Sequence, residues 1–137
     1  MEKALEYEVH ACTDVTGFGI LGHLIEMAHG CDAKVVISYN SLPFYPSALE
    51  MYKKGETTGS NKANRAMVAK HNFELKASLN THEEELLYDP QTSGGLLLAL
   101  PNSQADELMK TLSGTDVPVA VKIGEVTDDP VGLLVEP

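Results

Sequence analysis

Apolar positions alternate with polar ones at two different periods along this chain, and the switches between periods predict its elements. Phe18, Leu21, Ile25 and Ala28 recur at the three- and four-residue steps of one helix face, and Ile20, Leu24 and Met27 line a second. A helix over 20–29, buried on more than one side, is therefore expected, with Asp14 or Thr16 as its cap and Gly30 ending it in a left-handed turn. Ala33 to Tyr39, dominated by Val35, Val36 and Ile37, reads as a strand. Pro46 is placed to open a second helix that runs to Lys54 and stops at Gly55. The Thr-, Gly-, Ser- and Asn-rich stretch from Glu56 to Asn64 reads as a loop. Residues 65–80 then suggest a short helix and a strand near Phe73 to Ala77. Thr81 with Glu84 matches a capping box for a brief helix ending near Tyr88.

Asp89 to Gly95 is a polar turn feeding a strand from Leu96 to Leu100, whose leucine run predicts cover on both faces. Asn102 or Ser103 is placed to cap a helix to about Leu112, with Gly114 just beyond it. Val119–Val126 and Val131–Val135, separated by Thr-Asp-Asp-Pro, read as a closing antiparallel pair. The predicted fold is α+β, a mixed β-sheet with packed helices.

The length of 137 residues gives room for one domain and a core that needs neither disulfides nor metal. Twenty acidic against ten basic residues leave a net charge of -10, which disfavours a nucleic-acid backbone or an anionic membrane as main partner. No apolar run approaches a bilayer's width, and the first residues lack the basic and apolar regions of a signal peptide. Cys12 and Cys31 share no CxxC spacing, and reduced thiols in a cytoplasmic protein are expected.

Two segments carry candidate chemistry. Thr13-Asp14-Val15-Thr16-Gly17-Phe18-Gly19 sets a carboxylate, two hydroxyls and two glycines at a helix start, where unpaired N–H groups suit phosphate oxygens and a carboxylate suits a hard cation. The alternative is that Asp14 and Thr16 merely cap the helix, and spacing alone favours capping. The Lys of a Walker A loop is missing. Gly17, Gly19 and Gly22, each costing about 1 kcal/mol relative to Ala inside a helix, suggest close approach by a backbone or a ligand. Asp89 to Gly95 presents Asp89, Gln91, Thr92 and Ser93 either toward a pocket or simply as good turn formers. No spacing among the five histidines makes a metal pair, and His23 is expected to be a hydrogen-bonded core or interface residue.

Taken together, residues 12–23 and 89–97 resemble the C-terminal domain of the selenide, water dikinase (selenophosphate synthetase) family, within the aminoimidazole-ribonucleotide-synthetase-like enzymes. The resemblance runs from about residue 8 to the end. It implies an enzyme that makes selenophosphate, AMP and phosphate from selenide, ATP and water. It also implies a two-domain protein in which residues 1–137 form the C-terminal domain alone, without the N-terminal ATP and catalytic domain. Implied partners are that N-terminal domain, a second copy in a homodimer of the full-length enzyme, and the substrates selenide and ATP with Mg²⁺. Asp14 is implied as a Mg²⁺ ligand, and Thr13, Thr16 and Gly17 as neighbours of the nucleotide phosphates. The family's catalytic Cys or selenocysteine has no counterpart here, so the isolated chain is expected to be inactive. Thr58-Gly59-Ser60 with Asn64 and Arg65 resembles the family's Gly-rich loop ending in Asn, with one extra residue before Asn64. The alternatives are a related ATP-dependent synthase with another substrate and a non-catalytic interaction domain.

Overall fold

The helix predicted from the first apolar stripe is the spine of the fold. The computed structural model describes residues 2–137, in which α1 runs Gly19–Cys31 and buries Leu21, Leu24, Ile25 and Ala28. Neither Asp14 nor Thr16 caps it: Phe18 holds the N-cap position without a side-chain hydrogen bond. Nor does Gly30 end it. Asp32 takes the left-handed conformation instead (φ 51°, ψ 45°), and Ala33 N–H reaches back to the Ala28 carbonyl at 3.1 Å. Asp tolerates that conformation better than most residues with a Cβ, so the helix runs on to a firm stop.

Two sheets flank this spine. The larger has the order β3-β6-β2-β5, with β2 Lys34–Ser38, β3 Phe73–Leu75, β5 Gly124–Thr127 and β6 Gly132–Glu136. The expected hairpin of the last two strands does not form. β2 lies between them, parallel to β6 and antiparallel to β5. The reason lies in β6, where Gly132, Leu133, Leu134 and Val135 are all buried. Such a strand needs cover on both faces and neighbours on both edges, and β2 and β3 supply the edges. The strand of the last pair is also shorter than its pattern: Val117, Val119 and Val121 are exposed and irregular, and pairing starts only at Gly124.

The second sheet is a two-stranded antiparallel ribbon of β1 (Ala11–Asp14) and β4 (Leu96–Ala99), with Asp14 opposite Leu96 and Thr13 opposite Leu97. Leu97 is buried while Leu96 is 48% exposed, so the leucine run is covered on one face only. The remaining helices are α2 (Ala48–Lys53), α3 (Asn61–Val68), α4 (Thr81–Leu86) and α5 (Asn102–Ser113). α3 begins inside the stretch that reads as a loop, because two of its polar residues, Asn61 and Asn64, are buried rather than solvated. The capping box of α4 sits one residue earlier than expected. Asn80 accepts from His82 and Glu83 N–H groups at 3.0 and 3.1 Å, and Glu83 accepts from Asn80 N–H at 2.8 Å. Pro101, not Asn102 or Ser103, occupies the N-cap position of α5. The core between α1, the larger sheet and α3 centres on Leu21, Ile37, Val68, Leu87, Leu133 and Val135, all essentially inaccessible. The described residues contain no helix long and apolar enough to cross a membrane.

Candidate functional site

The two candidate segments lie against one another. Val15 N–H donates to the Gly95 carbonyl at 2.9 Å and Gln91 N–H to the Thr16 carbonyl at 2.9 Å, so residues 13–19 and 89–95 form one continuous wall. Their glycines explain the fit. Gly19 takes a positive φ of 69°, and a Cβ there would meet the Tyr88 carbonyl carbon at 2.9 Å and the Asp89 carbonyl oxygen at 3.0 Å. A Cβ on Gly94 would overlap the Val15 carbonyl oxygen and stand 2.7 Å from Gln91 Oε1. Both positions therefore need Gly for close backbone approach. Gly17 differs: nothing lies within 4 Å of where its Cβ would be. Its open side is where a ligand can come against the main chain.

Asp14 ends β1 on the ribbon's exposed face, beside half-exposed Leu96. No described basic residue pairs with its carboxylate, which is thus available to a cation. Thr13 alternates to the other face, partly buried, with its hydroxyl 3.5 Å from the Asp14 carbonyl. Thr16 is held from inside: both its N–H and its Oγ1 lie 3.0 Å from Nε2 of His23, which is 5% exposed. His23 is thus the hydrogen-bonded core residue that its place on α1 predicts.

Behind the wall runs a partly buried polar network that links it to α3 and α4. Asn64 Nδ2 donates to the Gly17 and Tyr88 carbonyls, each at 2.9 Å, and so ties the two segments together. Tyr52 of α2 donates to Asp89 Oδ1 and accepts from Asn61 Nδ2 at 3.0 Å. Asn61 Nδ2 also reaches Glu85 Oε2 at 2.9 Å, and its Oδ1 accepts from Thr58 Oγ1 at 2.6 Å. Arg65 bonds Glu84 and, at 2.7 Å, Glu85, with its guanidinium 4.3 Å from the Tyr88 ring centroid. Burial raises the Tyr52 hydroxyl pKa, helped by its hydrogen bond to Asp89. Burial also pushes Tyr88 up to about 12, against the opposing pull of Arg65. Burial disfavours the Arg65 charge, but its bonds to Glu85 and Glu84 outweigh this and raise its pKa. A cleft of about 420 Å³ opens beside this network, lined among others by Thr57, Thr58, Asn61, Lys62, Arg65 and His82.

The Asn61, Asn64 and Tyr52 roles are the ones that composition hides, since asparagines among Thr, Gly and Ser read as solvated loop. Their i, i+3 spacing is the signal that two amides share one helix face. Among the described residues no cluster of three or more His, Cys, Asp or Glu side chains forms a metal centre. Asp14 alone suits Mg²⁺ as one ligand of several, since that ion is commonly held by one or two carboxylates together with phosphate oxygens and water. The exposed, unpaired carboxylate and the open space over Gly17 fit such a shared site.

Residues 1–135 match the family described as AIR synthase related protein, C-terminal domain. A selenide, water dikinase from Pelobacter propionicus is 39% identical over 132 residues, covering 95% of this chain and 37% of that protein. One from Clostridium botulinum strain Eklund 17B is 40% identical over 127 residues, covering 93% of this chain and 36% of its own length. The chain thus spans little more than a third of the curated relatives it matches. The crystal structure of E. coli HypE, a hydrogenase maturation protein, superposes with a TM-score of 0.60 at 20% identity, over 97% of this chain and 34% of that one, which speaks for the fold alone. With the mixed sheet, the packed helices and both glycine-bearing segments in place, the chain belongs to the AIR synthase related protein C-terminal domain family.

Proposed function

We propose that residues 1–137 are the C-terminal domain of an ATP-dependent enzyme that converts selenide, ATP and water to selenophosphate, AMP and phosphate. In this reading the domain contributes one wall of a Mg²⁺–ATP site whose other wall, with the catalytic nucleophile, comes from an N-terminal domain. The observation that carries the reading is the exposed, unpaired Asp14 carboxylate three residues before the open main chain at Gly17. The relatives' name, selenide, water dikinase, supports selenide and water as the acceptors.

Each residue then has a task. Asp14 holds one coordination position of the metal. A Mg²⁺ ion held there would neutralise charge on the polyphosphate, as phosphoryl transfer requires. Gly17 lets the nucleotide phosphates approach the backbone, and the main chain of Thr13 and Thr16 borders them. Asn64 and His23 keep the Thr16–Gly17 segment from moving when that charge arrives. The isolated chain is inactive and binds ATP weakly, because one carboxylate is too few to hold a metal–nucleotide complex. The full-length enzyme acts as a homodimer.

The test is a chimera in which this chain replaces the matching third of the Pelobacter propionicus relative, assayed for AMP release. Selenide-dependent AMP release supports the reading. Nucleotide hydrolysis stimulated by another acceptor and not by selenide points to a related synthase. A folded, inert chimera points to an interaction domain.

A further inference from the structure

His23 is buried, yet one of its two ring nitrogens lacks a hydrogen bond. Nε2 faces Thr16 N–H and Thr16 Oγ1, both at 3.0 Å. A backbone N–H can only donate, so the nitrogen it meets is the unprotonated one and the ring proton sits on Nδ1. Nδ1 lies 3.1 Å from Oε2 of Glu26, one helical turn on, and makes no hydrogen bond of its own. Glu26 is 59% exposed at its side chain and is the charged group facing the ring. A residue chosen for packing alone would have no need to aim an accepting nitrogen at the turn before Gly17, with a carboxylate 3.1 Å from its other nitrogen.

We propose that His23 is a positioning residue for the nucleotide site. As the neutral Nδ1–H tautomer, drawn toward the Glu26 carboxylate, it presents Nε2 as an acceptor that fixes Thr16. Through Thr16 it sets the direction of the open main chain at Gly17. Asn64 grips the Gly17 carbonyl from the other side at 2.9 Å, so the two-residue segment is held at both ends. The arrangement follows the logic of outer-shell partners, which orient a binding group without touching the ligand. It rests on the proposed nucleotide site for its consequence, but not for its geometry.

Two arms test it separately. In ¹⁵N NMR of the 137-residue chain, Nε2 of His23 is expected to be bare and the ring proton to sit on Nδ1. A proton on Nε2 overturns the proposal, whatever the enzyme does. In the chimera, His23→Gln offers an amide oxygen near the Nε2 position, whereas His23→Leu fills the space and offers none. His23→Gln is expected to keep the KM for Mg–ATP within about threefold of the parent, and His23→Leu to raise it about tenfold or more with a smaller change in kcat. Equal KM effects from both variants reduce His23 to packing and overturn the proposal, as does an unchanged KM in His23→Leu. If the parent chimera lacks selenide-dependent activity, the enzymatic reading fails while the NMR arm still decides the geometry.

Discussion

A methyl group added at Gly94 asks two backbones to share one volume. The Cβ would overlap the Val15 carbonyl oxygen and approach the Val15 carbonyl carbon to 3.0 Å, and neither is the yielding end of a flexible side chain. Relief requires residues 89–95 to move away from residues 13–16, across the hydrogen bonds from Val15 to Gly95 and from Gln91 to Thr16. Overpacking of this kind costs about 1–3 kcal/mol, and weakening two hydrogen bonds adds about 1 kcal/mol. Gly94→Ala is therefore expected to destabilise the chain by about 2–4 kcal/mol, a fall in melting temperature of about 7–14 °C at this length. Gly17→Ala is the matched control, because its Cβ would enter open space. Its effect on stability should lie within about 0.5 kcal/mol, although in the complete enzyme it should weaken nucleotide binding. Thermal and urea denaturation of the two variants beside the parent measure both. A Gly94→Ala melting temperature unchanged from the parent, or a Gly17→Ala loss as large as that of Gly94→Ala, refutes the assignment of close contact to one glycine and open approach to the other.

Further outcomes follow from the same contacts. Asn64→Ala leaves the Gly17 and Tyr88 carbonyls without their shared donor, and should cost about 2–3 kcal/mol in urea denaturation. Asn80→Ala removes the capping box of α4 and should cost about 1 kcal/mol, whereas Thr81→Ala should cost far less. Tyr88 is held protonated in the folded chain up to about pH 12, above its ordinary value of 10. Its contribution to stability is thus complete below pH 10 and lost as pH rises from 10 through about 12, with Tyr52 shifted the same way. Base titration of a Tyr88→Phe variant should show a shallower loss across that window, and an unchanged slope contradicts the shift. Asp14→Asn, at an exposed and unpaired position, should leave the melting temperature nearly unchanged, and an appreciable fall would give Asp14 a structural partner instead.

Elements with a strong single-period pattern were legible in the sequence. The α1 helix, buried on more than one side, and the Val35-Val36-Ile37 strand stand where periodicity puts them, except that Phe18 of the predicted stripe lies exposed at the N-cap, outside the helix. Pairing was not legible at the C-terminus. Nothing in Val131–Val135 states that β2 intervenes between it and β5, since strand order depends on which strand needs two covered faces. β1 escaped notice because Ala11-Cys12-Thr13-Asp14 has no apolar alternation, and β4 supplies the partner that makes it a strand. The capping box slipped by one residue because Asn80/Glu83 and Thr81/Glu84 satisfy the same spacing, and only the backbone chooses between them. At the candidate site, the two glycine-bearing segments were readable as motifs, and their mutual contact accounts for Gly19 and Gly94. Asn64 was singled out only by its resemblance to a family loop and Asn61 by nothing, because a buried amide and a solvated one look alike in a polar stretch.

The central claim is that Asp14 meets a metal–nucleotide complex only when a second domain faces it. The most direct measurement is a crystal structure of the complete protein with a non-hydrolysable ATP analogue and Mn²⁺ in place of Mg²⁺, located by anomalous scattering. The account predicts a Mn²⁺ ion at ordinary coordination distance from an Asp14 carboxylate oxygen, bridged to the phosphates that lie along Gly17. Nucleotide and metal bound elsewhere, with Asp14 still facing solvent, would contradict it.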